Sequence, residues 1–527
     1  MTEMGRPSEY KIEEVADITR QYRRIKPDAP AITFEGRTQT YEQLDKRANL
    51  IAEALLSKGL GAGDRIAYFA KNSDTFVELY LACAKSHVTL VPINWRLASV
   101  EVEYILADSE ARLIFVSDEF EATAFALKEK IPGVVDVIGI EGARGVVGLE
   151  KWLGEPADVD PKLDVVPDIA VVQMYTSGTT GRPKGALLSN ANVVASLHAG
   201  DQGALGAWGY DDVMLVALPF FHVGGAQIGL HILHQGGHMV VIRDANAESI
   251  LMAFGKWPVT RTGLVPAVLQ FCLDHELCKT TDFSSLKTVT YGGSPISENL
   301  FRRAKQTLGC ELIHMFAMTE TTAIGTVLLP QEYEQGPEER QRSIGRAAAS
   351  MQVRVVKPDG SETAPREVGE IVVKGPCVFS GYWKLAEASA QAIRDGWFHT
   401  GDAGYTDEAG YLYIHDRIKD MIISGGENVY PAEIENVLSD HPAVKDVAVI
   451  GVPDEKWGEA VKAVVVTRTG ILADQADVIA FARTRLAGYK VPKSVDFVDE
   501  LPRNSSGKLL KRLIRAPYWD GRARQVN

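Results

Sequence analysis

Short apolar runs alternate with helix-patterned stretches through the first part of this chain. The runs at 65–70, 88–91 and 113–116 are of strand length, and the stretches at 75–86 and 100–106 between them carry helical periodicity. Alternation of this kind is typical of βα units on a mostly parallel sheet. Because a chain of 527 residues also exceeds one ordinary core, we expect an α/β fold with at least two domains.

The pattern changes twice farther along the chain. Short strands at 351–356 and 369–374 predict a β-rich subdomain that completes the large domain. From Asp416 a different order of strands and helices begins, which predicts a small α+β domain. We therefore expect an N-terminal domain over residues 1–415, built from parallel-sheet α/β subdomains and the β-rich subdomain, and a small C-terminal domain over residues 416–527.

The segment 175–185 reads Tyr-Thr-Ser-Gly-Thr-Thr-Gly-Arg-Pro-Lys-Gly and joins a predicted strand at 169–174 to a predicted helix after Ser189. Its glycines let main-chain N–H groups approach a ligand closely, and Lys184 adds a mobile positive charge. This combination predicts polyphosphate binding. A flexible linker would not need the Pro-Lys-Gly ending, and a Walker loop would end in Gly-Lys-Ser/Thr.

Three further predicted strands end in polar or glycine-rich turns. These turns contain His222, the pair Gly292-Gly293, and Glu320. Ligands of open α/β sheets bind at the carboxyl ends of the strands, so we expect these turns to form a site if the strands are neighbours. A carboxylate such as Glu320 beside a bound triphosphate is best explained as a Mg²⁺ ligand.

Segment 175–185 resembles the signature loop of the adenylate-forming superfamily, which includes acyl-CoA synthetases, peptide-synthetase adenylation domains and firefly-type luciferases. The similarity extends from Ala31 to Arg512, with the motifs in family order. It implies an AMP-forming carboxylic acid:CoA ligase that uses ATP, Mg²⁺ and CoA. In such an enzyme the carboxylate attacks the α-phosphate of ATP to give an acyl-adenylate. The resemblance implies that the C-terminal domain, residues 416–527, is a mobile lid. This lid then rotates, and the thiol of CoA takes the acyl group.

The resemblance also implies which residues take part in each step. Those with catalytic roles are Lys508, Glu320, Lys184 and the hinge residue Lys419, and those at the metal are Thr176 and Glu320. The implied ATP and AMP contacts are Thr176, Ser177, Gly178, Thr179, Thr180, Gly181, Lys184, Gly292, Gly293, Ser294, His314, Met315, Phe316, Thr319, Asp402, Arg417 and Lys508. The acyl substrate is implied to contact His222, Gly292, Ala317 and Met318, and CoA to contact Ser424, Gly425 and Gly426.

Three positions depart from the usual family pattern. Phe316 and Ala317 stand where the family usually has Tyr and Gly. Adenine stacking should therefore survive, whereas a tyrosine hydroxyl contact would not, and the methyl group of Ala317 is expected to narrow the acyl pocket. Lys419 stands where the family often has Asp, with Lys as a known variant.

The sequence defines the acid substrate less narrowly than the class of reaction. The strings at 416–435 and 451–459 look most like those of bacterial fatty-acyl-CoA synthetases, although aryl-acid ligases share much of both. A medium- or long-chain fatty acid is the first hypothesis, and an aromatic or other cyclic acid is the second. A stand-alone enzyme that loads a carrier protein is a further alternative, and a luciferase-like oxidase shares the fold.

Composition narrows the partners and the compartment. The net charge of -13 argues against nucleic acid as a general partner. A basic cluster of Arg20, Arg23, Arg24 and Lys26 is expected to be a solvated helix face, with a membrane-surface contact as the alternative. Five scattered cysteines and the lack of a long apolar run favour a cytosolic protein with no transmembrane segment. A homodimer is compatible with the sequence.

Histidines 231, 234 and 238 are spaced suggestively for a metal ion. No acidic partner is evident for them in the sequence, so we expect a structural position at a helix edge instead.

Overall fold

The computed structural model describes residues 12–520 apart from 143–144, 156, 177–181, 295, 418–419, 425–426, 455, 472 and 504–508, and it describes no side chain at 416, 417, 427 or 428. The first elements are α1 (Asp17–Ile25), β1 (Pro30–Phe34), β2 (Arg37–Thr40), α2 (Tyr41–Ser57), β3 (Arg65–Phe69), α3 (Asp74–Ser86), β4 (Thr89–Pro92), α4 (Ser99–Ser109), β5 (Ala111–Val116), α5 (Glu121–Lys130), β6 (Asp136–Gly139), β7 (Val147–Gly148) and α6 (Leu149–Leu153).

The central elements carry most of the predicted site. They are β8 (Ala170–Thr176), β9 (Lys184–Ser189), α7 (Asn190–Ala199), β10 (Val213–Val216), α8 (Val223–His234), β11 (His238–Val241), α9 (Ala247–Lys256), β12 (Arg261–Leu264), α10 (Pro266–Asp274), β13 (Thr288–Gly292), α11 (Glu298–Leu308), β14 (Glu311–Phe316), β15 (Thr326–Leu328), α12 (Pro330–Glu334) and β16 (Arg346–Ala347).

The last elements form the β-rich part and the C-terminal part. They are β17 (Gln352–Val356), β18 (Gly369–Lys374), β19 (Gly381–Tyr382), α13 (Ala386–Ala392), β20 (Ile393–Arg394), β21 (Trp397–Thr406), β22 (Leu412–Arg417), β23 (Ile422–Ser424), β24 (Glu427–Val429), α14 (Pro431–Ser439), β25 (Val444–Asp454), β26 (Gly458–Thr467), α15 (Gln475–Arg483), β27 (Ser494–Phe497) and α16 (Lys511–Trp519).

Two large sheets confirm the predicted α/β fold. Within the described residues, one sheet has the strand order β19-β9-β8-β4-β3-β5-β6-β7 and is parallel from β8 to β7. The other has the order β16-β15-β14-β13-β12-β10-β11-β1-β2 and is parallel from β14 to β1. Helices separate successive parallel strands, as the alternating pattern predicts.

The first hairpin joins the more distant sheet. Strands β1 and β2 pair antiparallel, but β1 also pairs in parallel with β11, about two hundred residues farther along the chain. Thr40 caps α2, since its side chain accepts a hydrogen bond from the backbone N–H of Gln43 and the Gln43 side chain accepts one from Thr40. The hairpin therefore starts in one sheet, and α2 leads the chain into the other.

Helix α1 differs from the expected solvated basic face. Arg20 contacts Asp160 at 2.6 Å, and Arg23 contacts Asp158 at 2.9 Å and Asp45 at 3.1 Å. The expectation is wrong for these two arginines because carboxylates from elsewhere in the chain engage them. Among the helices of the described residues, none has the length and hydropathy needed to span a membrane.

The β-rich part and the C-terminal part have sheets of their own. Strands β17, β18, β21 and β20 are neighbours, with β22 paired to β21. Strands β24, β23, β26 and β25 form a further sheet, with β27 parallel to β26 and a separate apolar core that includes Ile422 and Val461. Strand β22 extends to Arg417 and pairs with β21 up to that residue. The predicted domain boundary at Asp416 therefore falls inside β22, one residue before its end.

Candidate active site

The strands on either side of the glycine-rich segment form a β-hairpin. Strand β8 pairs antiparallel with β9, and Thr176 lies opposite Lys184. The sequence predicted a loop between a strand and a helix, whereas the structure places Lys184 at the start of β9, and helix α7 follows only after Ser189. Ser189 caps that helix by accepting a hydrogen bond from the backbone N–H of Asn192. The predicted phosphate-binding residues Ser177, Gly178, Thr179, Thr180 and Gly181 lie outside the described residues.

A buried hydrogen-bond chain supports the base of this hairpin. Arg65 Nε donates to Gln173 Oε1 at 2.8 Å, and Gln173 Nε2 donates to the Tyr175 hydroxyl at 3.0 Å. Tyr175 in turn donates to Asp108 Oδ2 at 2.6 Å. Burial raises the pKa of Tyr175, and the neighbouring carboxylate raises it further. The tyrosine therefore stays protonated as a donor and fixes β8 against α4.

Glu320 lies in a short turn directly after β14, and 6% of its surface is exposed. Its Oε1 accepts hydrogen bonds from Tyr382 at 2.8 Å and from Thr176 at 3.4 Å. A carboxylate and a hydroxyl are hard oxygen donors, which Mg²⁺ prefers. The described residues contain no cluster of three or more His, Cys, Asp or Glu that could hold a metal. This donor set fits a Mg²⁺ bound mainly through nucleotide phosphates, with Glu320 and Thr176 as the protein ligands.

Lys184 lies close to the tyrosine that donates to this carboxylate. Its Nζ is 5.0 Å from the centroid of the Tyr382 ring, whose hydroxyl contacts Glu320. Strand β19, which contains Tyr382, pairs with β9, which contains Lys184. We call Thr176, Lys184, Glu320 and Tyr382 the phosphate cluster, since it combines one ammonium, one carboxylate and two hydroxyls where β8 ends and β9 begins.

Strands β13 and β14 lie close together where the predicted adenine contacts fall. A Cβ on Gly292 would lie 2.2 Å from the carbonyl oxygen of Met315, so this position accepts only glycine without a shift. Gly293 has φ +79°, which glycine adopts readily. Phe316 is buried in a cluster with Ile371 of the β-rich sheet. Ser294 follows this glycine turn, and Thr319 precedes Glu320 in its turn.

His314, on β14, is buried, and burial lowers its pKa to about 4. Its ring lies 4.8 Å from that of Tyr291, and its Nδ1 has no hydrogen-bond partner among the described residues. Its uncharged ring thus lies next to β13, the strand that ends at the glycine turn 292–293.

His222 is the N-cap residue of α8. Burial lowers its pKa to about 4, and the positive charge of Arg96 acts in the same direction. Its Nε2 is buried without a hydrogen-bond partner among the described residues. A neutral imidazole here can donate or accept one hydrogen bond to a ligand without adding charge. Helix α8 approaches the preceding loop closely, since a Cβ on Gly225 would lie 2.3 Å from the carbonyl oxygen of Pro219.

Apolar side chains continue from His222 along the same region. Val223, Ile228 and Met318 are partly buried and pack against the main core. Ile228 lies over Gly263 of β12, where an added Cβ would come within 2.5 Å of Cδ1 of Ile228. The predicted acyl contacts Ala317 and Met318 follow β14 directly and are half-buried. These surfaces suit a hydrocarbon more than a polar group.

Asp402 and Arg417 are brought together by strand pairing. They lie opposite each other in β21 and β22, and Asp402 is buried. The backbone N–H of Asp402 donates to the hydroxyl of Thr400, which itself donates to the carbonyl of Ile371. Only the backbone of Arg417 is described. The pairing places both predicted ribose contacts at one end of the β-rich sheet.

In the C-terminal part, Ser424 is buried in β23, where it pairs with Gly458 of β26. The predicted hinge Lys419, the CoA contacts Gly425 and Gly426, and the catalytic Lys508 lie outside the described residues. Next to Gly458, the side chain of Trp457 is 39% exposed, and Lys456 Nζ and Lys493 Nζ lie 4.7 and 5.8 Å from its ring centroid. The sequence analysis gave no role to this exposed aromatic residue between two cations.

The three spaced histidines have different partners. His234 Nε2 lies 3.0 Å from both carboxylate oxygens of Asp201, and His238 Nε2 lies 2.8 Å from the hydroxyl of Thr33. His231 is buried against Gly200 and stacks on Trp208. The expectation that they lack an acidic partner is therefore wrong for His234. The acid was missed because Asp201 lies in a different element, 33 residues earlier.

The contacts join some predicted residues and leave others separate. Thr176, Lys184 and Glu320 meet through Tyr382, and Gly292 meets Met315 through strand pairing. Within the described part of the chain, no hydrogen bond or ion pair connects His222 or Ser424 with Glu320. Tyr382 itself was missed. In the sequence, Tyr382 is marked only by the string Gly-Tyr-Trp after a β-rich stretch. Its link to the site becomes visible only in the structure, where β19 pairs with β9.

Known proteins resemble this chain over nearly its whole length. The family model described as AMP-binding enzyme matches residues 19–383, and that described as AMP-binding enzyme C-terminal domain matches residues 433–508. The chain is 39% identical over 527 residues to a fatty acid–[acyl-carrier-protein] ligase, ScoC, of Streptomyces coeruleorubidus, covering 99% of this chain and 100% of that one.

Two further proteins extend the comparison. The chain is 39% identical to a feruloyl-CoA synthase of an Amycolatopsis species, covering 94% of this chain and 97% of that one. The crystal structure of ATP-bound MatB from Rhodopseudomonas palustris superposes with a TM-score of 0.86 at 32% identity, covering 96% of this chain and 99% of that one.

The two-part fold is that of a nucleotide-dependent ligase, and the chain belongs to the AMP-binding enzyme family of the adenylate-forming superfamily. It is an AMP-forming acid–thiol ligase. Family membership confirms the predicted reaction class and the predicted use of ATP, Mg²⁺ and CoA.

Proposed function

We propose that this enzyme activates a medium- or long-chain fatty acid as its acyl-adenylate and transfers the acyl group to the thiol of CoA. The phosphate cluster carries the proposal. A buried carboxylate with two hydroxyl donors on one oxygen, next to a lysine on a glycine-rich hairpin, suits a Mg²⁺–triphosphate and little else.

In the first half-reaction, a carboxylate oxygen of the acid attacks the α-phosphorus of ATP, and the bond to the bridging oxygen of pyrophosphate breaks. Negative charge increases on the phosphate oxygens, and Lys184 and Lys508 stabilise it. When bound, Mg²⁺ neutralises charge on the leaving pyrophosphate. Glu320 and Thr176 would hold that ion, and His222 orients the carboxylate without repelling or neutralising it, because its ring is uncharged.

In the second half-reaction, the lid formed by residues 416–527 turns about Lys419. The turn withdraws Lys508 and presents the segment Ser424, Gly425 and Gly426, along which the pantetheine arm of CoA lies. The thiolate attacks the acyl carbon, the thioester bond forms, and AMP leaves with the bridging oxygen. Asp402 and Arg417 hold the ribose throughout, while the turn 292–294 and Phe316 bind the adenine, so one nucleotide site serves both steps.

The wall next to His222 favours a fatty acid. Val223, Ile228 and Met318 present hydrocarbon, and Ile228 fills the space above Gly263. The relative whose alignment covers 99% of this chain acts, by its name, on a fatty acid. An aromatic acid is the second candidate, since a feruloyl-CoA synthase is equally identical over a slightly shorter length.

The acceptor has a second candidate as well. The name of the full-length relative specifies an acyl carrier protein instead of CoA. Both acceptors end in the same phosphopantetheine thiol, so both would enter along the segment 424–426. The exposed Trp457 with Lys456 and Lys493 favours CoA, because an aromatic face beside two cations suits an adenine nucleotide that carries extra phosphate.

Product analysis with paired substrates tests this proposal. The enzyme is incubated with ATP, Mg²⁺ and decanoate, palmitate, ferulate or benzoate, and with CoA or a holo-acyl carrier protein. We expect AMP, pyrophosphate and fatty-acyl-CoA, with turnover of the fatty acids at least tenfold faster than that of the aromatic acids. Faster turnover of ferulate would contradict the acid, and an adenylate that passes only to the carrier protein would contradict CoA as the acceptor.

A further inference from the structure

Tyr382 lies between the two charged groups of the phosphate cluster. Its hydroxyl donates to Glu320 Oε1 at 2.8 Å, and the face of its ring lies 5.0 Å from Lys184 Nζ. Lys184 and Glu320 both belong to the described part of the chain, and no ion pair joins them there. One side chain thus contacts the cation through its ring and the anion through its hydroxyl.

The backbone fixes this tyrosine relative to both groups. The N–H of Phe379 donates to the carbonyl oxygen of Glu320 at 2.9 Å, and the N–H of Trp383 donates to the carbonyl oxygen of Gly185 at 2.8 Å. The Trp383 indole N–H donates to the carbonyl oxygen of Asp108 at 2.9 Å. The segment 379–383 therefore spans the gap between the turn that holds Glu320 and the strand that holds Lys184.

The chemistry of the hydroxyl sets what it can do. A tyrosine hydroxyl is protonated at neutral pH, so that of Tyr382 donates to the Glu320 carboxylate. Tyr382 and Thr176 both direct their hydroxyls to Oε1 of Glu320. Among the described residues, no hydrogen bond reaches Oε2. A carboxylate held by one oxygen in this way leaves the other oxygen to bind a cation through a single contact.

We propose that Tyr382 is a positioning residue for the adenylation step. Its hydroxyl orients Glu320 so that Oε2 faces the Mg²⁺ of Mg²⁺–ATP. Its ring holds the Lys184 ammonium away from Glu320, so that the two charges stay available to the nucleotide instead of pairing with each other. This inference rests on the proposed function, in which Glu320 is a metal ligand and Lys184 contacts phosphate.

The test measures binding without turnover. Wild-type enzyme and Tyr382→Phe are titrated with α,β-methylene-ATP by calorimetry, once across a series of Mg²⁺ concentrations and once in EDTA. We expect the Mg²⁺ concentration for half-maximal tightening to rise about tenfold in Tyr382→Phe, since a hydrogen bond to a charged group is lost. Affinity in EDTA stays unchanged, because the ring still faces Lys184.

A second variant separates the ring from the hydroxyl. In Tyr382→Leu, Lys184 is free to pair with Glu320, so affinity for the analogue in EDTA should also fall, by at least threefold. Tyr411→Phe is the matched control, since Tyr411 donates to Glu332 Oε1 at 3.1 Å in another part of the protein. Its Mg²⁺ dependence should equal that of wild type, and thermal melts show that each variant is folded.

The outcomes distinguish the two levels of the argument. An unchanged Mg²⁺ requirement in Tyr382→Phe, with a normal wild-type response, would overturn the role of Tyr382 and leave the proposed function intact. An equal loss of affinity with Mg²⁺ and in EDTA would also overturn it, since that pattern indicates a structural role. Wild-type binding that does not respond to Mg²⁺ at all would instead contradict the proposed role of Glu320.

Discussion

At the scale of single residues, desolvation keeps three histidines uncharged at neutral pH. Burial lowers the pKa of His222 to about 4, of His231 to about 3 and of His314 to about 4. Each has a ring nitrogen without a hydrogen-bond partner among the described residues. Two of them, His222 and His314, are predicted contacts of the acid and the nucleotide, and there a neutral imidazole would add no charge that competes with lysine or Mg²⁺ for those anions.

The same shifts predict a pH dependence of stability. An unfolded histidine binds a proton near pH 6.5, whereas the three folded ones do so only near pH 3–4, so unfolding takes up protons between those values. Stability is therefore fully present above pH 6.5 and falls as pH decreases, by up to about 1.4 kcal/mol per pH unit for each histidine.

Denaturant unfolding at pH 7, 6 and 5 measures this effect. His231→Gln, which removes one of the three titrating rings, should lower proton uptake on unfolding by about one. A midpoint that does not change between pH 7 and 5, or a His231→Gln variant with the wild-type slope, would contradict the burial argument.

At the scale of elements, the site depends on how closely β13 and β14 approach each other. Parallel pairing joins Gly292 to Met315, and the missing side chain of Gly292 makes room for the Met315 carbonyl. The turn that follows carries the predicted adenine contacts, and β14 ends in the turn that carries Glu320. A change in the spacing of these two strands should therefore alter both stability and nucleotide binding.

Gly292→Ala tests this dependence. We expect a loss of about 1–3 kcal/mol in the free energy of unfolding, because the added Cβ overlaps a backbone carbonyl that cannot move alone, and weaker ATP binding by calorimetry. Gly255→Ala is the matched control. Gly255 lies in α9 with open space around its Cβ position, so alanine there should raise stability by up to about 1 kcal/mol and leave ATP affinity unchanged. Equal behaviour of the two variants would refute the packing argument.

At the scale of the whole molecule, the chain divides near the end of β22 into a large part and a small part. The sheet of the small part has an apolar core of its own. The large part contains the phosphate cluster and the predicted acyl contacts, and the small part contains the predicted CoA contact Ser424 on a sheet of its own. The rings of His415 and Tyr430 lie 4.1 Å apart on either side of the predicted hinge at Lys419. This arrangement suits an enzyme that uses one nucleotide site for two successive reactions.

The sequence predicts the fold class well because alternation of strands and helices is a local property. It does not predict that β1 pairs with β11, since strand order depends on contacts that are distant along the chain. Prediction of the site is limited for the same reason, because it also depends on contacts that are distant along the chain. Glu320 could be recognised from its motif, whereas Tyr382, 62 residues later, becomes meaningful only when β19 pairs with β9. Likewise, the glycine-rich segment predicts a phosphate site, but it does not predict that the flanking strands β8 and β9 pair with each other.

The central claim is that the acid attacks the α-phosphorus of ATP, and isotope transfer tests it most directly. The enzyme is given a fatty acid with ¹⁸O in both carboxylate oxygens, together with ATP, Mg²⁺ and CoA, and the products are analysed by mass spectrometry. The account predicts one ¹⁸O atom in AMP, none in pyrophosphate and one in the thioester carbonyl. Label in inorganic phosphate, accompanied by ADP, would show attack at the γ-phosphorus and would contradict the account.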